Sequence, residues 1–184
     1  MKLNKSLLLA FGLLILASSL YRVWPDRPFG FAPQWAMAVF AGAIIRDKKW
    51  AVLLPLLSMF ISDTIYQALY QNGLTGIWGF YEGQVSNYIL FGGLTIFGMM
   101  IRKFSWVKML GASLAAPSAF FLISNYLVWI SGAGYQRPAL IQAYADGIPF
   151  YQMSLLATPF FSLIMFGVYF LIRERSLAPA QHKA

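Results

Sequence analysis

The chain has 184 residues, 59% of them hydrophobic, 17% aromatic and only 11% charged, against about 25% charge in an ordinary soluble domain. A soluble fold of this size leaves roughly a third of its unfolded surface wet, so it has nowhere to put this much apolar side chain. A soluble globule and a disordered chain are both excluded, and a single membrane domain is the natural size class. The net charge of +8 comes from 14 Lys+Arg against 6 Asp+Glu. The basic residues sit in short clusters between apolar runs, so they read as topology signals and not as a nucleic-acid surface. There is no cysteine, which excludes disulfides, thiolate metal sites and Cys nucleophiles. The only histidine, His182, lies in the tail. Neither a metal site nor a cofactor is expected.

Six apolar runs follow in chain order: Ser6 to Val23, Phe31 to Ile45, Trp50 to Tyr70, Val85 to Ile101, Ser105 to Ile130 and Ile148 to Ile172. A membrane span needs about 20 residues, with a range of roughly 17–25. The first run has a second reading as a cleaved signal peptide, with Lys2 and Lys5 ahead of an apolar stretch and Leu16-Ala17-Ser18-Ser19 as the cleavage region. Against that, the run continues through Leu20 and Tyr21 to Trp24, like the interfacial end of a retained helix. The second run is short, so it requires an untilted helix, local thinning of the bilayer or shelter from neighbouring helices. Pro33 suits its first turn. Pro55, Pro117 and Pro159 interrupt three other runs. The expected fold is an all-α six-helix transmembrane bundle over residues 1–172, with a frayed polar cytoplasmic tail over 173–184.

Charge sets the expected orientation. With the N-terminus in the cytoplasm, the inside holds Lys2, Lys5, Arg46, Lys48, Lys49, Arg102, Lys103, Lys108, Arg173, Arg175 and Lys183. The outside holds Arg22, Arg27 and Arg137. That bias predicts an inner-membrane, multi-pass protein with both termini cytoplasmic. The inner loops are tight. The outer ones are long, and rich in aromatics. Trp24 to Ala32 reads WPDRPFGFA, Gln71 to Gln84 has four glycines with Trp78, Phe80 and Tyr81, and Ser131 to Gly147 holds Tyr135, Arg137, Tyr144 and Asp146. A short surface helix is expected from Pro138. Long aromatic loops on one face fit a lid or vestibule, and equally an interfacial aromatic belt.

Asp63 is the one acid deep inside an apolar run. An Asp at the centre of a span costs about 2.5–3.5 kcal/mol on insertion scales, so it marks a functional site by default. It shares a helix face with Met59, Tyr66, Gln67 and Tyr70. On the fifth run, Ser118, Phe121, Asn125 and Trp129 form a second face. Asn87, Gln34, Trp35, Tyr151 and Gln152 fall at a similar outer depth on other runs, while the inner halves are almost purely apolar. This asymmetry predicts an outward pocket for a small, partly aromatic or amphipathic solute. Asp63 and Asn125 would set its specificity, with Trp35, Tyr66, Trp129, Gln34, Asn87 and Gln152 around them. Asp63 has two other roles open to it: a structural carboxylate, or a proton carrier whose pKa burial would have to raise. The bland reading of the whole set is interhelical polar glue. Small-residue pairs, Ala38/Gly42, Gly111/Ala115 and Ala112/Ala116, mark close helix packing, within the bundle or against a partner in a non-transport scaffold. No phosphate loop, nucleophile elbow or HExxH is present, and an enzyme is not expected.

Phe31-Ala32-Pro33 with Ala36-x-Ala-x-Phe-Ala-Gly-Ala43, Pro55-Leu-Leu and Ser62-Asp63 resembles a bacterial family of small, uncharacterised membrane transport proteins. So does Phe120-Phe-Leu-Ile-Ser-Asn-Tyr-Leu-Val-Trp129-x-Ser-Gly132 with Tyr135 and Ile148-Pro-Phe150. More distantly the chain resembles the substrate-binding S components of energy-coupling-factor vitamin transporters. That resemblance implies six helices, an outward pocket beneath the first loop, and borrowed partners: an energy-coupling scaffold and ATPase subunits. The first helix departs from it, because Ala10, Gly12 and Ala17 do not have the Ala-xxx-Ala spacing used for the scaffold.

Overall fold

The computed structural model describes residues 5–101, 103–131 and 139–177, with side chains from Ala10 to Ile172. The expectations placed on Lys2, Arg102, Tyr135, Arg137, His182 and Lys183, and on the start of a surface helix at Pro138, lie outside these residues, as do those on the side chains of Lys5, Arg173 and Arg175. Every element among the described residues is helical: α1 (Lys5–Arg22), α2 (Gln34–Ile44), α3 (Lys48–Gln71), α4 (Gln84–Gly93), α5 (Thr95–Met99), α6 (Trp106–Ser131) and α7 (Leu140–Leu177).

Local signals account for the ends. Asp47 caps α3 by accepting a hydrogen bond from the Lys49 amide at 2.9 Å, satisfying one of the first-turn N–H groups that lack a helical partner. Pro33 stands one residue earlier than expected, as the N-cap of α2, and its carbonyl accepts from the Met37 amide at 2.9 Å. The fourth run is two helices and not one. Gly92 and Gly93 precede the break. At Leu94 one amide reaches both Leu90 O and Phe91 O at 3.1 Å, so the chain tightens by a turn without leaving the helical path. The sixth run begins at Leu140, eight residues before the apolar stretch, and continues through Pro149 and Pro159 as one helix of 38 residues. The expected surface helix is therefore the first two turns of α7. The expected tail begins inside the same helix, which extends through Leu177. α3 and α6 likewise run unbroken through Pro55 and Pro117.

Three helices are long and apolar enough to cross a membrane: Lys48–Gln71, Trp106–Ser131 and Leu140–Ile172 within α7. No more than a third of each such stretch is buried inside the protein. The outward faces carry large apolar side chains such as Leu53, Leu57 and Phe60 on α3 and Leu156, Phe160 and Leu163 on α7, which need lipid as their solvent.

Helix α2 is the axle. Gln34 to Gly42 are all buried, and α3, α5, α6 and α7 surround it. Eleven residues span only about 17 Å at 1.5 Å each; shelter from its neighbours is what permits that length. The interior is more polar than expected. Ser58, Ser62, Ser113, Thr158 and Ser162 are buried, and most of them return a hydrogen bond to the carbonyl one turn back, as Ser113 does to Met109 at 2.8 Å. Serine contacts also cross between helices: Ser19 Oγ donates to Ser58 O at 2.9 Å, joining α1 to α3, and Ser113 Oγ and Ser162 Oγ lie 2.9 Å apart, joining α6 to α7. Ala38 and Gly42 pack inside the bundle, as do Ala112 and Ala116, while Gly111 faces outward. Helices α1 and α3 run parallel, so the end of α1, the second half of α3 and the starts of α2 and α4 meet at one end of the bundle.

Candidate functional site

That end contains a cavity of about 530 Å³. Its walls come from Met59, Asp63 and Tyr66 on α3, Gln34 and Trp35 on α2, Asn87 and Phe91 on α4, Phe120, Ser124 and Val128 on α6, and Phe150 on α7. The 23–33 loop adds Arg27, Phe29, Gly30 and Ala32, and the 72–83 loop adds Ile77, Trp78 and Tyr81. Aromatic rings fix the base. Trp35 packs edge-on against Phe120 and Phe150, both at 5.4 Å between centroids, and against Phe91 at 6.4 Å.

Asp63 is the most constrained group in the site. Its side chain is only 3% exposed. Arg22, in the last turn of α1, donates from Nη1 to Asp63 Oδ1 and, at 2.6 Å, to Ser62 Oγ. On the other carboxylate oxygen, Gln84 Nε2 donates at 2.7 Å and the Tyr88 hydroxyl at 2.6 Å. One carboxylate thus ties α1, α3 and α4 together, the arrangement a buried charge requires. Arg22 also lines the cavity. Its own carbonyl, one of the orphan acceptors at the end of α1, receives the Tyr66 hydroxyl at 2.6 Å and Arg27 Nε at 3.0 Å. Arg27 goes on to donate to Pro28 O, Phe31 O and the Tyr66 hydroxyl at 3.2–3.4 Å, folding the 23–33 loop around its guanidinium.

The 72–83 loop is fastened to α3. Gln67 Oε1 accepts the Gly79 and Phe80 amides at 3.2 and 3.3 Å, Gln84 Nε2 donates to Gly79 O at 2.9 Å, and Trp78 packs on Tyr70 at 5.7 Å. Gly79 is required there: a Cβ would stand 1.9 Å from Asp63 O and 2.5 Å from Gln67 N. Gly79→Ala is expected to lift the loop from α3 while leaving the bundle folded. Limited proteolysis should then cut within residues 72–83 in the variant at protease concentrations that spare the parent.

The structure brings together Asp63, Tyr66, Trp35, Gln34 and Asn87 around this cavity. It places Asn125 elsewhere. Asn125 lines a second, smaller cavity of about 250 Å³ with Gly147 and Tyr151. Its Nδ2 donates to Phe121 O at 2.7 Å, and its amide group lies against Gly147, where a Cβ would come within 2.6 Å of Oδ1. The row Ser118, Phe121, Asn125 packs on α7: Ser118 Oγ meets the Tyr151 hydroxyl at 2.9 Å and Phe121 stacks on Tyr151 at 4.4 Å. The row that faces the main cavity is Phe120, Ser124, Val128, about one residue round the helix. Trp129 is half-buried and packs on Tyr126 at 5.6 Å, and Gln152 is exposed; neither lines either cavity. Phe29, Trp35, Phe120, Ser124 and Phe150 border both cavities.

Sequence reasoning missed Arg22, Arg27, Gln84 and Tyr88. One signal was available for Arg22. A buried acid in a membrane chain needs a cation at its own depth, and Arg22 is among the few on that side. Two buried polar atoms on cavity residues, Gln34 Oε1 and Trp35 Nε1, have no hydrogen-bond partner among the described residues. The other half of the Gln34 amide donates to Ser18 O at 3.0 Å.

The chain belongs to a family described as a family of unknown function (DUF6580), whose model matches residues 1–181. No curated protein and no solved structure matches the chain. Neither a transport activity nor kinship with S components follows from these comparisons.

Proposed function

We propose that this chain is a six-segment inner-membrane protein, N- and C-termini cytoplasmic, that takes a small solute into the cavity at its outer end, in the manner of a transport component. The observation that carries the reading is the cavity itself. About 530 Å³ lies within the 300–1,000 Å³ of small-molecule sites, and an aromatic base with a few convergent polar groups is their usual lining. The charges support the orientation: Arg46, Lys48, Lys49, Lys103 and Lys108 flank the end opposite the cavity, where the cytoplasmic face would be. Besides α3, α6 and α7, the proposed spans are α1, the sheltered α2 and the broken α4–α5 pair. Asp63 serves as an anchor in this reading, since donors from α1 and α4 already occupy both its oxygens. Any energy-coupling scaffold or ATPase partner remains an implication of the resemblance, which co-purification tests directly.

Ser124 gives the test. It is half-buried on the cavity wall, and tryptophan there fills the space from α6. Chain extracted in a mild neutral detergent is expected to carry a stoichiometric small molecule detectable by mass spectrometry. Ser124→Trp is expected to lose it while remaining monodisperse. Equal occupancy in the two proteins removes the cavity from function. A stoichiometric protein partner with an empty cavity in both favours a scaffold.

A further inference from the structure

The charged groups around the cavity do not balance. Two guanidiniums, Arg22 and Arg27, and one carboxylate, Asp63, line it. Arg22 and Asp63 neutralise each other. Arg27 has no acidic partner: its hydrogen bonds go to three backbone carbonyls and a phenol, and Arg22–Asp63 is the only ion pair among the described residues. Asp26 and Glu82, the other acids of the two covering loops, do not line the cavity.

Donor capacity is also left over. A guanidinium has five N–H donors and no acceptor. Arg22 uses Nη1 alone, so its Nε and Nη2 donors make no hydrogen bond among the described residues. Arg27 keeps one Nη2 hydrogen beyond its bond to Tyr66. The charge is uncompensated and cannot be removed by losing a proton. Much of the remaining lining is apolar and aromatic, Trp35, Phe91, Phe120 and Phe150 among it.

Resting on the solute-site reading above, we infer that the occupant is an amphipathic anion, its negative group held at Arg27 and the free donors of Arg22, and its apolar body against the Trp35 base. Chemistry alone allows two sources for that anion: a free small carboxylate or the headgroup of an acidic lipid. A neutral or cationic solute would leave Arg27 unpaired beside a desolvated ligand.

The test uses one aromatic body with three charges: 1-naphthaleneacetate, 1-naphthaleneacetamide and 1-naphthylethylamine. Binding to the full chain in phosphatidylcholine nanodiscs is read by tryptophan fluorescence, with empty nanodiscs subtracted. The acid is expected to bind at least about tenfold more tightly than the amide, and the amine least of all. Arg27→Gln, which also removes hydrogen bonds that hold the 23–33 loop, is expected to weaken the acid more than the amide, so that the two bind with equal affinity. Should Arg27→Gln misfold, Asn87→Asp adds a carboxylate to the lining from α4, outside the 23–33 loop; it offsets the Arg27 charge and is expected to abolish the preference for the acid over the amide and the amine. Acid, amide and amine binding alike, or an acid preference unaltered in both variants, overturns the anion assignment while leaving the solute site standing. Failure of all three probes to bind the parent overturns the solute site, and the assignment with it. A repeat with phosphatidylglycerol in the nanodisc separates the sources: displacement of the acid identifies a lipid headgroup, and undiminished binding a free carboxylate.

Discussion

Alanine at Gly42 or at Gly98 is expected to prevent normal assembly of the bundle. The two glycines face each other where α2 crosses α5. A Cβ on Gly42 would lie 2.1 Å from Thr95 O, and one on Gly98 would lie 2.0 Å from Val39 O. Both obstacles are backbone atoms, so no rotamer change relieves them; the helices must separate. Overpacking in a well-filled core costs about 1–3 kcal/mol and occasionally more, and here each single methyl is resisted by an entire helix. α2 has no freedom to retreat, being buried from Gln34 to Gly42. Each variant should show a lower yield of monodisperse protein and a fall in melting temperature in neutral detergent. Gly111→Ala is the control. No atom outside its own helix turn lies within 4 Å of its added Cβ, and alanine is the better helix former, so its melting temperature should equal or exceed the parent's. Parental stability in Gly42→Ala or Gly98→Ala would show that the α2–α5 crossing is looser than these distances require.

The second large effect concerns the Arg22–Asp63 pair, and its direction is asymmetric. The Arg22 side chain is 22% exposed and that of Asp63 only 3%. Arg22→Met leaves an unpaired carboxylate in a buried place, and breaking a buried pair from one side costs about 3–5 kcal/mol. Asp63→Asn leaves a guanidinium that can turn toward water, and the new amide still accepts from Gln84 or Tyr88, so about 1–2 kcal/mol is expected from the weakened hydrogen bonds. The double variant removes both charges and should be more stable than Arg22→Met alone, with a coupling of about 0.5–3 kcal/mol between the sites. Equilibrium unfolding in mixed micelles measures all three. Additive losses would mean that the pair carries no energy of its own.

These arginines also show where sequence reading stops. Composition and run lengths were enough to identify an all-helical chain built for lipid, and the rarity of an acid in an apolar run pointed to Asp63. The partner of Asp63 was visible in the sequence but attributed to topology, because a cation at a span end serves orientation and pairing alike. The facing of α6 was not legible. Its residues are apolar nearly all round, so periodicity no longer distinguishes cavity, neighbour and lipid. Ser118 and Asn125 were the polar choices, yet both are used against α7, while Ser124 faces the cavity between two apolar neighbours on its row. The break at Leu94 and the continuity of α7 through Pro149 reflect tertiary support. Two adjacent glycines loosen one helix, and packing on α6 keeps the other whole although proline removes an amide.

The lengths of the helices give the molecule an uneven waist. From Gln84 to Met99 the α4–α5 flank rises about 24 Å, whereas α7, with 38 residues, rises about 57 Å. The flank is not hidden as α2 is: Val85, Ile89 and Ile96 point outward. In the six-span arrangement proposed above, a hydrocarbon layer of about 30 Å would have to pinch inward beside it or the body would have to lean, while on the α7 side the same layer would be overfilled. Hydrophobic thickness would then act on this protein as a torque, and a thicker sheet should press hardest on the flank that holds Gln84 and Tyr88 against Asp63.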